Sequence, residues 1–292
     1  MRLTTRAAAL LLAAMAFSWP ASALAQAATL PAGLSFIAQD SSGAWGLYRV
    51  DAQRGPVHLP TQLEPRQACV APDGEQAVYT AADGTLRRLQ GGRETVLARA
   101  DVSRAYTQPC MTADGREVVA VEMADGKSID TEILRFAGDA TPARIARQPG
   151  AQHDPFLHRS RWLVYANVHC SDGCERLIVE IWTRDLVAAD ARQLTLLNAL
   201  SQGPVTDGQR VVFASNASGT FQLWQVGLDG RGLRQLTQGA SQATQPALCA
   251  GALYFIKATP AGAGLARLDA QGQGVELPLP GLSSIRALRC LS

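Results

Sequence analysis

Lysine is almost missing from this chain. Lys127 and Lys257 are the only two in 292 residues, and arginine supplies the rest of the 27 basic side chains. Charge of one sign is missing as well: the formal net charge is +2, and Arg2 and Arg6 sit in an N-terminal segment that reads as removable, which leaves the remainder neutral. A neutral chain lacks the Lys/Arg excess that drives phosphate-backbone binding, so a nucleic-acid partner is excluded, as is a polybasic membrane patch. After Ala25 no apolar run approaches the roughly 20 residues a membrane-spanning helix needs, so no membrane insertion is expected once that segment is gone. No long helical period with caps is present either. No Gly-x-Ser-x-Gly elbow and no glycine-rich phosphate loop occur, which removes the commonest signatures of a hydrolase or a nucleotide-binding enzyme. What the chain has is apolar content, 47%, with 18% charged residues, the composition of a folded globular protein.

The N-terminus has three parts. Met1 to Arg6 carries two arginines and no acid, Ala7 to Trp19 is apolar, and Ala23-Leu24-Ala25 is a small-x-small cleavage site after Pro20. This is the pattern of a secretory signal peptide, so residues 1–25 are expected to be removed and 26–292 to form one domain. Export permits disulfides. Six cysteines allow 15 pairings, and spacing alone does not choose among them.

A repeat narrows the choice. An aliphatic-led strand recurs at Leu47-Tyr48-Arg49-Val50, Leu86-Arg87-Arg88-Leu89, Ile133-Leu134-Arg135-Phe136, Ile181-Trp182-Thr183-Arg184, Leu223-Trp224-Gln225-Val226 and Leu265-Ala266-Arg267-Leu268. The steps are 39, 47, 48, 42 and 42 residues. A polar or small residue before proline leads most units, at Gln108-Pro109, Asp154-Pro155, Gly203-Pro204 and Gln245-Pro246. Asp-Gly turns punctuate them at Asp73-Gly74, Asp114-Gly115 and Asp207-Gly208, where both residues can take the positive φ of a tight hairpin. Short alternating strands at this period indicate four-stranded propeller blades.

Leu34 to Pro60 holds only three strands, and Ser283 to Cys290 is a lone strand at the other end. Pairing the two gives an all-β, six-bladed β-propeller closed by its C-terminal strand, with no open edge. Within that frame Cys69 and Cys110 fall at matching places on the inner strands of adjacent blades. Cys249 and Cys290 flank the closure, and Cys170 and Cys174 bracket one hairpin loop. The expected disulfides are therefore Cys69–Cys110, Cys170–Cys174 and Cys249–Cys290. A zinc site from His169, Cys170 and Cys174 is not expected, because three ligands at that spacing match no structural pattern. Trp182 and Trp224, at equivalent repeat positions, are expected to pack between blades.

The fifth unit runs Gln202-Gly203-Pro204-Val205-Thr206-Asp207-Gly208, then Arg210 to Ser215, Gly219 to Trp224 and Leu228-Asp229-Gly230, closing on Arg234-Gln235-Leu236-Thr237. It resembles the repeat of TolB-type β-propellers, and the resemblance extends from Gly33 to Ser292. TolB carries an α/β domain before its propeller, and this chain enters the first blade almost directly, so only the propeller half of the comparison applies. That half resembles the part that binds a peptidoglycan-associated lipoprotein. The resemblance implies a periplasmic protein whose residues just before each inner-strand proline face the channel mouth. Here those are Gln67, Gln108, His153, Asp154, Gln202 and Gln245, with Arg286 from the sixth unit.

Amides both donate and accept, so such a ring suits a neutral polar ligand or a peptide end, and it equally suits a wet channel whose groups satisfy one another. Some related propellers, such as oligogalacturonate lyases, hold a metal with several histidines. Here His153 and His158 are five apart and fall on opposite faces of one strand, while His58 and His169 belong to outer positions, so no metal and no other cofactor is expected. The expected function is a non-catalytic, monomeric periplasmic scaffold binding an envelope protein or peptide at the mouth. The alternative is a carbohydrate-active or metal-using enzyme with its site around His153 and Asp154.

Overall fold

A computed structural model of the chain describes residues 30–124, 131–138, 140–170, 176–259 and 262–291. The expected signal peptide, 1–25, lies outside the described residues. Twenty-four strands form six four-stranded antiparallel sheets. From the channel outward, the closing blade is β24 (Ser283–Cys290), β1 (Leu34–Gln39), β2 (Trp45–Asp51) and β3 (Gly55–Leu59). The next has β4 (Pro65–Val70), β5 (Gln76–Ala81), β6 (Leu86–Gln90) and β7 (Arg93–Ala98). It is followed by β8 (Arg104–Met111), β9 (Glu117–Ala124), β10 (Thr131–Ala137) and β11 (Ala143–Arg144). The fourth has β12 (Gln152–His158), β13 (Trp162–Cys170), β14 (Leu177–Asp185) and β15 (Asp190–Gln193). The fifth has β16 (Ser201–Thr206), β17 (Arg210–Ser215), β18 (Gln222–Gly227) and β19 (Arg234–Gln235). The sixth has β20 (Ala243–Cys249), β21 (Ala252–Thr259), β22 (Gly262–Leu268) and β23 (Gly274–Leu277). The expected propeller and its closure are both present: β24 pairs antiparallel with β1, with Leu34 opposite Cys290 and Ile37 opposite Arg286.

Burial follows position in the blade. The second strands lie between neighbouring sheets, so both of their faces are covered: Val118 to Val121 on β9 and Val211 to Ala214 on β17 are fully buried. These strands read as continuous apolar runs for that reason. The outermost strands alternate and stay half-exposed. Trp182 and Trp224 pack against the largest core cluster, between blades as expected.

The Asp-Gly turns differ from expectation in one respect. Only the glycines are left-handed, with φ of 76° at Gly74, 67° at Gly115 and 90° at Gly208. Each aspartate instead accepts from the backbone two residues on, as Asp73 does from Glu75 N at 2.9 Å and Asp207 from Gln209 N at 3.0 Å. An Asx turn needs no positive φ at its aspartate. The Leu-Thr pairs that close two units lie just past their outer strands and act as latches. Thr195 Oγ1 accepts from Ile181 N at 2.9 Å, and Thr237 Oγ1 from Leu223 N at 2.8 Å. Each hydroxyl then donates to a buried side chain, Glu180 in one blade and Gln222 in the next.

Cys249 and Cys290 form the disulfide that joins the sixth blade to the closing strand. Cys174 lies outside the described residues, and with it the expected Cys170–Cys174 pair. The expected Cys69–Cys110 disulfide is not formed in the structure: the two are fully buried free thiols whose sulfurs stand 3.2 Å apart across neighbouring inner strands, at hydrogen-bond and not at covalent distance. Their shared hydrogen bond, and after it the nearby Arg289 guanidinium, pulls the Cys110 thiol below its ordinary range against the effect of burial, while burial pushes Cys69 up. Exposure of the purified protein to a small-molecule disulfide oxidant is expected to join them, the oxidant being reduced to its two thiols. Thiol titration under denaturing conditions should then lose two more groups in the wild type than in a Cys110→Ala variant, so that reaction at the exposed Cys170 cancels.

His158, at the end of β12, is 5% exposed. Burial, helped by the charge of Arg159 and opposed by Asp207, pushes its imidazole below the ordinary 6.5. The folded protein therefore keeps it neutral while the unfolded chain takes up a proton as pH falls through about 6.5. Its contribution to stability is complete above that value and declines on acidification. Urea unfolding at pH 7.5 and pH 5.5 should show a smaller drop in stability for His158→Gln than for the wild type; an equal drop would refute the assignment.

Candidate functional site

The inner strands converge on a cavity of about 450 Å³ at one end of the channel. Its lining includes Gln67, Gln108, Asp154, Gln202, Gln245 and Arg286, so six of the seven residues chosen from the sequence share one site. All six inner strands carry a β-bulge there, where the pairing with the second strand slips. At the bulges Gln108, Asp154, Gly203, Gln245 and Ala287 take φ between 47° and 60°. A bulge re-aims a side chain out of the alternation of the strand, which is how residues next to inner-strand prolines reach the channel.

His153 is the exception. It pairs with Ala166 of β13, ahead of the bulge, and is not part of the lining. The bulge on β12 turns Asp154 inward, so the expected His153–Asp154 pair does not form a joint site. Among the described residues no three His, Cys, Asp or Glu side chains stand together as a metal set.

The amides are less free than a bare ring suggests. Gln67 Oε1 accepts from Gln108 N at 2.5 Å and from the Thr107 hydroxyl. Gln108 Oε1 accepts from Asp154 N at 2.8 Å while its Nε2 donates to Asp154 Oδ1 at 2.6 Å. Asp154 Oδ2 in turn accepts from Gly203 N at 2.9 Å. Gln245 Oε1 accepts from Leu288 N at 3.3 Å, and Arg286 Nη2 donates to the Pro65 carbonyl at 3.1 Å. Each bulge side chain thus binds the backbone of the next blade, and five of the six blade boundaries are stitched this way. At the remaining boundary, between β16 and β20, Gly203 has no side chain to offer.

That gap makes a prediction. A Cβ on Gly203 would meet only Pro246 and the Gln245 backbone, at 3.8 and 3.9 Å. Asparagine tolerates left-handed backbone. Its carbonyl would reach toward Gln245 N as Asp154 reaches Gly203 N. Gly203→Asn is expected to raise stability by about 1 kcal/mol in urea unfolding, through one hydrogen bond and a less flexible unfolded chain.

Sequence reasoning missed Arg66 and Arg289, which also line the cavity. Arg66 is the residue displaced by the bulge between Pro65 and Gln67, and β24 carries two bulges that bring Arg286 and Arg289 to the same side. In β4 the proline, Pro65, stands before the displaced residue instead of after it, and β24 has none, so the signal used elsewhere was absent. Arg286 stacks over the Trp45 ring at 3.7 Å and lies 3.4 Å from Glu64, which is also 3.4 Å from Arg66. Arg289 Nη1 donates to the Leu288 carbonyl at 3.0 Å. The Nε atoms of Arg286 and Arg289 are buried without a hydrogen-bond partner. The lining therefore holds three guanidiniums and one carboxylate, and both oxygens of that carboxylate are already bonded.

No family profile and no curated protein matches this sequence. Solved structures do match its shape. A putative TolB from Agrobacterium tumefaciens aligns at TM-score 0.60 and 16% identity, over 84% of this chain and 88% of that one. TolB from Acinetobacter baumannii aligns at 0.68 and 13% identity, over 88% of this chain; the match spans 65% of that protein's length. An oligogalacturonate lyase in complex with manganese aligns at 0.54 and 15% identity, over 87% and 75%. The chain has the TolB-type six-bladed propeller fold, and identities this low speak for the fold alone.

Proposed function

We propose that this protein is a non-catalytic β-propeller scaffold of the periplasm that holds another envelope protein, or a peptide segment of one, at the channel mouth. In this reading residues 1–25 direct export, 26–292 work as one monomeric domain, and no cofactor takes part. One observation carries it: the mouth is wide and polar, and it presents donors that the blade-to-blade bonds leave over. Gln202 is exposed and bonded to nothing among the described residues, and Gln67 and Gln245 each use only their carbonyl oxygen. Amides in that state can pair with the N–H and C=O groups of an extended peptide. The TolB fold supports the reading in general. An enzyme centred on His153 and Asp154 draws no support from the geometry, because the imidazole is off the lining and the carboxylate is engaged in holding two blades.

The test is capture. Immobilised residues 26–292 should enrich one dominant protein from a detergent-solubilised envelope extract after mild cross-linking. A variant carrying Arg66→Ala and Gln202→Ala, both at exposed positions, should lose it while keeping the wild-type melting curve. No enrichment in repeated captures, or capture unchanged by the double variant, would count against the scaffold.

A further inference from the structure

We infer that the channel mouth is a carboxylate-binding site, in which Arg66, Arg286 and Arg289 receive the free carboxylate of a peptide segment. The inference rests on the scaffold reading and names the chemical group that the mouth recognises.

The charge distribution is the starting point. Three arginines face one cavity of about 450 Å³ in a protein whose formal net charge is only +2. They come from two adjacent inner strands, β4 and β24, so one side of the mouth is strongly positive. Asp154 makes no ion pair with them, because its two oxygens are turned to Gln108 and Gly203. Burial, and after it the charge of Arg66, lowers the proton affinity of Arg286 against the pull of Glu64. A cluster of like charges held on rigid strands is costly unless something of opposite sign enters it.

Donor accounting points the same way. A guanidinium carries five N–H donors in a planar fork suited to two-point contact with a carboxylate. Arg289 directs one nitrogen at the Leu288 carbonyl, and Arg286 uses one nitrogen for Pro65 and Glu64. Trp45 beneath Arg286 fixes the plane of that guanidinium, which orients the rest of its fork. Among the described residues the Arg66 guanidinium pairs with Glu64 alone, at 3.4 Å, with half of its side chain exposed. Glu64 therefore occupies the rim in the way an incoming carboxylate would, 3.4 Å from both Arg66 and Arg286. It is an internal competitor at the edge for Arg66 and Arg286, and among the described residues it forms no ion pair with Arg289. The amides of Gln202, farther round the mouth, and of Gln245, beside β24, suit the peptide groups that precede a terminal carboxylate.

The test uses residues 26–292 and two probes, acetyl-trialanine with a free C-terminus and the same peptide amidated, with acetate as a third. Binding is followed by calorimetry at low salt. The free acid is expected to bind at least tenfold more tightly than the amide. Arg289→Gln should weaken the free acid about tenfold, and Glu64→Gln should strengthen it several-fold by removing the competitor. Acetate as strong as the peptide would identify a site for small carboxylates and overturn the peptide assignment. An acid and amide that bind alike, or an unchanged affinity in Glu64→Gln, would overturn the inference altogether. The acid–amide comparison is made on the wild type, so it stands even if Arg289→Gln fails to fold. An envelope partner captured although neither peptide binds would leave the scaffold intact and sink the carboxylate site. Peptide binding without any captured partner would do the reverse.

Discussion

Removal of residues 283–292 is expected to leave the protein unfolded at room temperature. Strand β24 is the inner strand of the first blade although it comes last in the chain, and β1 has no other partner on its channel side. Deletion strips Ile285, Leu288 and Leu291 from the core, all buried to 4% exposure or less. Burial of such side chains contributes about 1.5–3 kcal/mol each. The deletion also removes the Cys249–Cys290 disulfide, which closes 41 residues of chain and contributes about 2–4 kcal/mol. Those losses are comparable with the entire stability of a typical domain, about 5–15 kcal/mol. A bare β1 edge would also invite association between chains. The graded version is the double variant Cys249→Ser, Cys290→Ser, which keeps the strand. It should fold but lose about 3 kcal/mol in urea unfolding, with a melting point lower by about 2–4 °C for each kcal/mol. A truncated protein that melts with the wild type would refute closure as the source of stability.

Asp154→Ala is expected to destabilise the protein by about 3 kcal/mol and to loosen the mouth, since hydrogen bonds to a charged acceptor contribute about 1.5–3 kcal/mol each. It removes the acceptors of Gln108 Nε2 and Gly203 N, and Gly203 is buried, so its N–H is left without a partner. Alanine is also a poorer occupant of the left-handed backbone at this position, φ 51°. Asp154→Asn separates the two effects. Its carbonyl can still accept from Gly203 N, and asparagine tolerates the backbone. Its amide then faces the Gln108 amide nitrogen, so one bond is lost and the cost falls to about 1 kcal/mol. If Asp154→Ala cost no more than Asp154→Asn, the ring of bonds between blades would not be stabilising the channel. Binding of the free-acid peptide should weaken in Asp154→Ala less than in Arg289→Gln, because Asp154 organises the mouth and the arginines contact the ligand.

The propeller was legible in the chain because a repeat carries its structure openly. Each blade is one supersecondary unit with its own turn residues, so the roughly 40-residue period, the Asp-Gly turns and the unpaired strand at each end dictate six blades and their closure. The same period placed Cys249 against Cys290 and put Cys69 beside Cys110. The mouth was located by the resemblance to TolB-type repeats, which implies that residues before inner-strand prolines face the channel; in four inner strands that proline marks the bulge.

What the sequence could not decide was what those residues do once there. Gln67, Gln108 and Asp154 look like ligand groups along the chain, yet in the folded ring each reaches the backbone of the next blade, a contact between residues some 40 positions apart. His153 and Asp154 are neighbours in sequence and part company at the bulge, because one residue of backbone twist sends them in different directions. Arg66 follows its proline instead of preceding it, and Arg289 has no proline in its strand. They become a pair only because closure sets the last strand of the chain beside the second blade. The sequence by itself determined the blades, their number and the closing strand, since these depend on local periodicity and turn chemistry. The division of mouth residues into those that hold the ring and those left to meet a ligand was decided by tertiary structure alone, because a hydrogen bond between blades depends on distances that only the closed ring sets.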